Sequence, residues 1–507
     1  MFANFQSAYL LTTSAFQLFY GKAYTFFSIK YTFILAIGIF ELGSLVCALA
    51  PSSTALIIGR AVSGLGGSGI FAGALVIIAH SVPLHRRPIF FGSMGGMFGI
   101  ASVCGPLLGG AFTDKLTWRW CFYVNLPFGA VTVLAVLLFF KPPSRPAIAG
   151  LSFLDRVKKI DWLGLLCFIP SIVSLLLALQ WGGSTYAWSD GRIIGLFVVF
   201  GVMGIAFVLV EYWKKDDATV PPRVIMQRSV AAGAWYAFCN GAGFFVVVYY
   251  VPLWHQVIRG VSAVESGICL LPMMVGLVVM VIMSGGLVTL IGYCTSRPRR
   301  FPVLFRPNGL PSIANTSFAD VPFMLLSSII APIGEGLLST WTVDTTFSQW
   351  FGFQALTGIG IGLGMQQPVV AVQTVLPIED LPVGSAIVVF MQTLGGAVLV
   401  SAAQTTFQNR LLQDLQEALP GGSFDPAGLL RTGATEISAK VPPELLPTVL
   451  VAFNDALTHV FTVSICMSAL TMVGSLAMEW RSVKKKGAKK TDVKNTMPTT
   501  PFSTKSS

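Results

Sequence analysis

Long apolar runs alternate with short polar or basic breaks along most of the chain. Thirteen runs have spanning length, at about residues 2 to 20, 31 to 50, 54 to 82, 89 to 113, 120 to 140, 161 to 182, 192 to 213, 230 to 254, 262 to 292, 322 to 341, 350 to 375, 383 to 407 and 450 to 478. About 20 apolar residues, rising about 1.5 Å each, cross the roughly 30 Å hydrocarbon layer. Helices are favoured over open strands there, because every backbone polar group must be satisfied within the protein. The pattern predicts an all-α polytopic membrane protein with about thirteen transmembrane helices.

Composition supports this reading. With 507 residues, 54% of them hydrophobic and 11% charged, the chain has too little polar surface to cover a soluble core. The net charge of +11 is no nucleic-acid footprint, because the basic residues stand in blocks between apolar runs. About three quarters of the 33 Lys and Arg fall in alternate loops, on the side that holds the C-terminus. The positive-inside rule assigns that side to the cytoplasm. The eight cysteines show neither metal nor redox spacing. No His, Cys or carboxylate cluster has catalytic spacing, and no GxxxxGK[ST] phosphate loop occurs. Enzyme activity, a cofactor and direct use of ATP are therefore not expected.

The chemistry-bearing stretch is residues 92 to 127. Gly92, Gly95, Gly96, Gly99, Gly105, Gly109 and Gly110 strip side chains from one run, and Pro106 removes a backbone donor within it. Close helix approach is what such glycines allow in lipid. The series Gly92, Ala101, Gly105-Pro106, Gly109-Gly110 resembles the antiporter motif of the major facilitator superfamily, with alanine for its middle glycine. The following Trp118-Arg119-Trp120 through Asn125-Leu126-Pro127 resembles the fourteen-span drug:proton antiporters of that superfamily, the fungal multidrug and toxin efflux type.

That resemblance implies two helical bundles, a two-helix linker and alternating access. It begins at the family's second span, with Ser7 to Thr12, Gln17 and Gly21-Lys22, so the first span is expected to be absent. The expected division is a five-helix bundle over 1–140, basic connectors and two linker helices over 141–229, and a six-helix bundle over 230–480. Within the last lie an arginine- and proline-rich insertion at 294–321 and an outer loop at 408–449. Residues 481–507 are expected to form a disordered cytoplasmic tail.

Two charges lie inside helices. Glu41 is at mid-span, and Arg60 lies six residues inside the antiparallel helix that follows, within about 6 Å of the same depth. Such groups are costly in lipid, so the two are expected to face one polar cavity and to pair. The resemblance adds that an arginine in this second motif, with Gly64, Gly66 and Gly67, takes part in proton coupling. Asn240, Gln366, Gln367, Gln373 and Gln392 are candidate polar points in a cavity otherwise suited to an apolar substrate. Lys22 and Lys30 are read as topology markers, and Glu335, Asp455 and His459 as solvated residues at helix ends.

The implied function is proton-coupled efflux of an apolar small molecule, such as a drug, toxin or secondary metabolite. The expected partners are the bilayer, the substrate and protons, with no nucleic acid, for a monomer in the plasma or vacuolar membrane. An importer of the same fold, for a siderophore or basic amino acid, and a transport-inactive truncated protein are the alternatives.

Overall fold

The computed structural model describes residues 2–142, 150, 152–183, 185–294, 321–418 and 441–479. Fourteen helices of nine or more residues organise these residues. They are α1 (Phe2–Phe26), α2 (Ile29–Leu49), α3 (Ser53–Ser81), α4 (Arg87–Lys115), α5 (Asn125–Phe139), α6 (Trp162–Trp181) and α7 (Gly191–Lys214). They continue as α8 (Arg228–Ile258), α9 (Leu271–Cys294), α10 (Val321–Leu338), α11 (Phe347–Gly364), α12 (Gln367–Val375), α13 (Leu381–Ala418) and α14 (Leu446–Ala477).

Among the described residues, 11 helices are long and apolar enough to cross a membrane, two fewer than expected. The two outside that set are α1 and α4, of 25 and 29 residues. Both are long enough to span at about 1.5 Å per residue. Gln, Ser, Thr and Tyr dilute the hydropathy of α1.

Two groups of helices emerge from the packing. In the first, α3 lies against α1 and α2, and α2 also meets α5. In the second, α8 packs on α13 and α14, while α10 and α11 pack together and reach α14 and α9. The groups meet along two seams, α1 with α13 and α4 with α9. The linker pair α6–α7 packs on itself, and α6 also touches α1 and α13.

Glycine placement explains the close approaches. In α11, Gly358 and Gly362 face the Met273 and Leu277 carbonyls of α9, while Gly360 faces the Ala331 backbone of α10. A four-residue period keeps each pair on one face, so α11 lies tightly between two neighbours. Gly364 meets the Tyr236 hydroxyl of α8, and the helix breaks there before restarting at Gln367-Pro368.

Polar knots fix the linker end of the molecule, called here the linker face. Asp161 caps α6 by accepting from Gly164 N at 2.8 Å, and it pairs with Lys214 Nζ at 2.7 Å. Its other oxygen accepts from Thr219 N and Oγ1, both at 3.2 Å. Glu211 accepts from Thr219 N and Val220 N at 3.1 and 2.7 Å, so two carboxylates tie down one turn. Burial pushes the Asp161 carboxyl up, but the Lys214 hydrogen bond and the backbone donors outweigh this and hold it below the ordinary aspartate value. Arg223 grips Asp380 with two nitrogens at 2.5 and 2.9 Å.

The expected outer loop begins later than residue 408, because α13 runs on to Ala418. Leu411 and Leu415, one turn apart, bury themselves beside Val449 and Phe453, and this apolar stripe carries the helix past the membrane. Residues 295–320 of the expected insertion, residues 419–440 of that loop and residues 480–507, with the whole expected tail, lie outside the described residues.

Candidate transport site along the helix seams

Glu41 is half-buried on the α2–α5 seam. A Cβ on Gly129 of α5 would overlap its Oε1, so the glycine makes the space that the carboxyl fills. Its Oε2 is buried and accepts no hydrogen bond. One turn away on the same seam, Asn125 Nδ2 donates to Ser44 Oγ at 3.2 Å. Arg119 Nη2 donates to Ala50 O at 3.1 Å, just past the end of α2. The Trp-Arg-Trp to Asn-Leu-Pro run thus clamps α2 against α5.

Arg60 faces another seam. Its guanidinium lies over the Tyr9 ring of α1, 4.4 Å from the centroid. Gly64 and Gly67, one and two turns further along α3, leave room for Thr12 and the Tyr9 hydroxyl. Thr13 Oγ1 donates to Gly64 O at 3.1 Å. The expected Glu41–Arg60 pair is not among the ion pairs of the described residues. Similar depth does not bring the two side chains to one face, because the glycine of α5 draws Glu41 one way and the tyrosine of α1 draws Arg60 the other.

The antiporter-type motif divides in two. Gly92, Gly95, Gly96 and Gly99 lie against Val281, Ile282 and Val278 of α9 and form the α4–α9 seam. Gly105 and Gly109 face open space, Ala101 is exposed, and Gly110 approaches Val264. Pro106 lies within the unbroken run of α4.

The amide candidates spread along the second group of helices. Gln366 caps the break before α12, with its Nε2 3.5 Å from where a Gly95 Cβ would stand, so it meets the motif helix across the seam. Gln367 is buried, and its Oε1 accepts no hydrogen bond. Gln373 is buried between the groups, accepting from Arg87 Nη1 at 3.2 Å and donating to Ser385 Oγ at 3.4 Å. Asn240 is buried on α8 beside Gly241, and the backbone carbonyl of half-buried Gln392 packs on that glycine.

Several residues read too simply from sequence acquire definite places. Lys22 is 3% exposed, with Phe26 beneath its ammonium at 5.6 Å, so it is not a solvated topology marker. Lys30 Nζ donates to Leu137 O and Phe140 O at 2.7 and 3.1 Å, closing the end of α5. Arg87 also donates to Ala79 O and Val82 O at 2.5 and 3.1 Å, and so joins α3, α4 and α12. Glu335 is fully buried rather than solvated. For Arg87, the signal available in the sequence was a charge directly before Pro88 at a helix start; for Gly129 there was none.

Two helical groups meeting along seams of glycine and scattered amides, with a helix pair between them, define a membrane transporter built for movement between halves. The chain belongs to the Major Facilitator Superfamily, whose family model matches residues 2–306. It is an integral membrane transporter and not an enzyme.

Its relatives include an MFS-type efflux pump, MFS1, of Arthroderma benhamiae, 49% identical over 95% of this chain and 84% of that protein. The efflux pump aflT of Aspergillus parasiticus is 47% identical over 95% of this chain and 88% of that protein. Among solved structures, the proton:xylose symporter XylE has a TM-score of 0.53 and 12% identity, covering 92% of this chain and 83% of the other. That likeness concerns the fold alone.

Proposed function

We propose that this protein exports an apolar small molecule, such as a toxin, drug or secondary metabolite, in exchange for protons. The observation that carries the reading is the identity of nearly one half, over 95% of the chain, to proteins named efflux pumps. The α4–α9 seam of antiporter-type glycines supports it, because bare backbone faces let two halves close and part. In this reading the bundles are residues 1–140 and 230–480, rocking about a midplane cavity with the 141–229 linker beside it. Asn240, Gln366, Gln367, Gln373 and Gln392 supply its polar points.

Glu41 and Arg60 take part in proton coupling in the first bundle from separate seams, Glu41 as the group that binds the proton. An intramembrane carboxyl with an unpartnered oxygen is poised to change protonation when its surroundings open. The linker face, rich in Lys and Arg, is cytoplasmic together with the C-terminus. The protein acts as a monomer in the plasma membrane.

Cells expressing the full chain should extrude an apolar dye such as Nile red, and a protonophore should abolish the extrusion. Extrusion that survives collapse of the proton gradient would overturn proton coupling, and inward accumulation would replace export by import.

A further inference from the structure

The second helix group also holds a buried acid. Glu335 of α10 is 0% exposed. Its Oε1 accepts a hydrogen bond from Ser468 Oγ of α14 at 2.8 Å, and the Ser464 hydroxyl, one turn earlier on α14, also faces the carboxyl. Its Oε2 is buried and has no partner. The floor of the site is Gly243 of α8, where a Cβ would stand 3.0 Å from Glu335 Oε1 and overlap Ser468 Oγ. On the α11 side, Thr357 packs against neighbouring Gly334.

The groups set against the carboxyl from α8 and α14 are thus a glycine and serines. None of them is charged or titrates, and Glu335 belongs to no ion pair of the described residues. A carboxylate desolvated in this way with only neutral hydroxyls around it costs several kcal/mol, so the closed site holds the neutral acid. The acid is not fully satisfied either, since a proton on Oε2 finds no acceptor. Neither form is at rest, which distinguishes this carboxyl from a structural one whose partners saturate it.

A row of hydroxyls leads away from it. Ser464, Ser468, Thr471 and Ser475 recur at spacings of four, three and four residues, one face of α14. Thr471 Oγ1 donates to Ser328 Oγ at 2.8 Å, and Ser328 and Ser475 share a hydrogen bond at 3.0 Å. All are buried, and the row covers about 10 Å from Ser468 toward the linker face. Buried hydroxyls pack helices together, and they also lower the cost of water entering between them.

We propose that Glu335 is a second proton-binding site, in the C-terminal bundle, loaded as the neutral acid in this closed arrangement and discharged along the Ser468–Ser475 face when α10 and α14 part. The proton leaves Oε2 for water in that opening, and the carboxylate left behind keeps the Ser468 hydrogen bond. A proton from the opposite membrane face restores the acid. The proposal rests on the proton-coupled reading above, and the test separates the two.

The full chain in liposomes is titrated by infrared difference spectroscopy, following the stretching band of protonated carboxyls. Proton uptake driven by Nile red is measured on the same vesicles. Wild type should lose a carboxyl band on alkalisation, and Glu335→Gln, which keeps shape and neutrality, should lack that component at every pH. Ser468→Ala keeps the acid and removes the Ser468 donor, so its band should persist to a pH about one to two units higher. Proton uptake per dye should fall in Glu335→Gln.

A Glu335 band that never titrates, or a titrating band unchanged by Glu335→Gln, overturns the site. Unchanged proton uptake in Glu335→Gln removes it from the transport path. Absence of dye-driven uptake in wild type would instead count against the exporter reading, while the infrared titration would still decide whether Glu335 exchanges a proton.

Discussion

Gly285 and Gly286 are neighbours on α9 with opposite surroundings. A Cβ on Gly285 would overlap the Pro88 carbonyl oxygen, stand 3.1 Å from its carbon and lie 3.4 Å from Gly92 Cα. Each of those atoms is α4 backbone, which has no rotamer to change. A Cβ on Gly286 meets nothing within 4 Å. Gly285→Ala must therefore push α4 and α9 apart by roughly 1 Å at the linker face, an overpacking that costs about 1–3 kcal/mol. If the two groups rock, this cost falls on the closed arrangement and not on the open one. Its population relative to the open one then drops by roughly 5- to 160-fold.

Spin labels at Ile89 and Leu287, both exposed and near this contact, report the α4–α9 separation in a cysteine-depleted protein. Gly285→Ala should shift the distance distribution to longer values and slow efflux, while Gly286→Ala should match the parent. Two alanine variants with the same distances and the same rates would refute the reasoning.

Gly129→Ala should displace the Glu41 carboxyl and reduce dye efflux several-fold; equal efflux in parent and variant would show that the carboxyl is not held there. Asn125→Ala removes the bond to Ser44 and should lower stability by about 1 kcal/mol, read as a lower Tm in detergent. Asp161→Asn should cost about 2 kcal/mol at neutral pH by weakening the contacts to Lys214 and Thr219. Since the folded Asp161 titrates below its unfolded value of about 4, its contribution is present above that pH and lost as pH falls through the lowered value. The Tm gap between parent and Asp161→Asn should therefore close on acidification and stay constant between about pH 6 and 8.

Helix positions were legible because the bilayer demands long apolar runs, and the glycines of α4 announced close packing. Rotation about each helix axis was not legible. Glu41 and Arg60 match in depth, yet depth along α2 and α3 does not fix which neighbour each faces, and they turned to α5 and α1. Glu335 stands three residues from the end of α10, where an acid is ordinarily solvated, and only the crossing of α14 buries it. Lys22 was misread for the same reason, since α13 comes so close that a Cβ on Gly21 would lie 2.8 Å from Ala386 Cβ. Gln373 carried no mark of its tie to Arg87, 286 residues away. The helix extension to Ala418 was written in the Leu411–Leu415 spacing, which the surrounding charge obscured.

The four alternating glycines of α11 also have a genetic meaning. Every single-base change in a glycine codon that yields another amino acid adds at least a Cβ. At Gly358, Gly360 and Gly362 that carbon would meet the backbone of a neighbouring helix, and at Gly364 it would meet the Tyr236 hydroxyl. No missense variant at these codons is neutral in volume, so this short helix should be among the stretches of the gene where natural variation is most severely pruned.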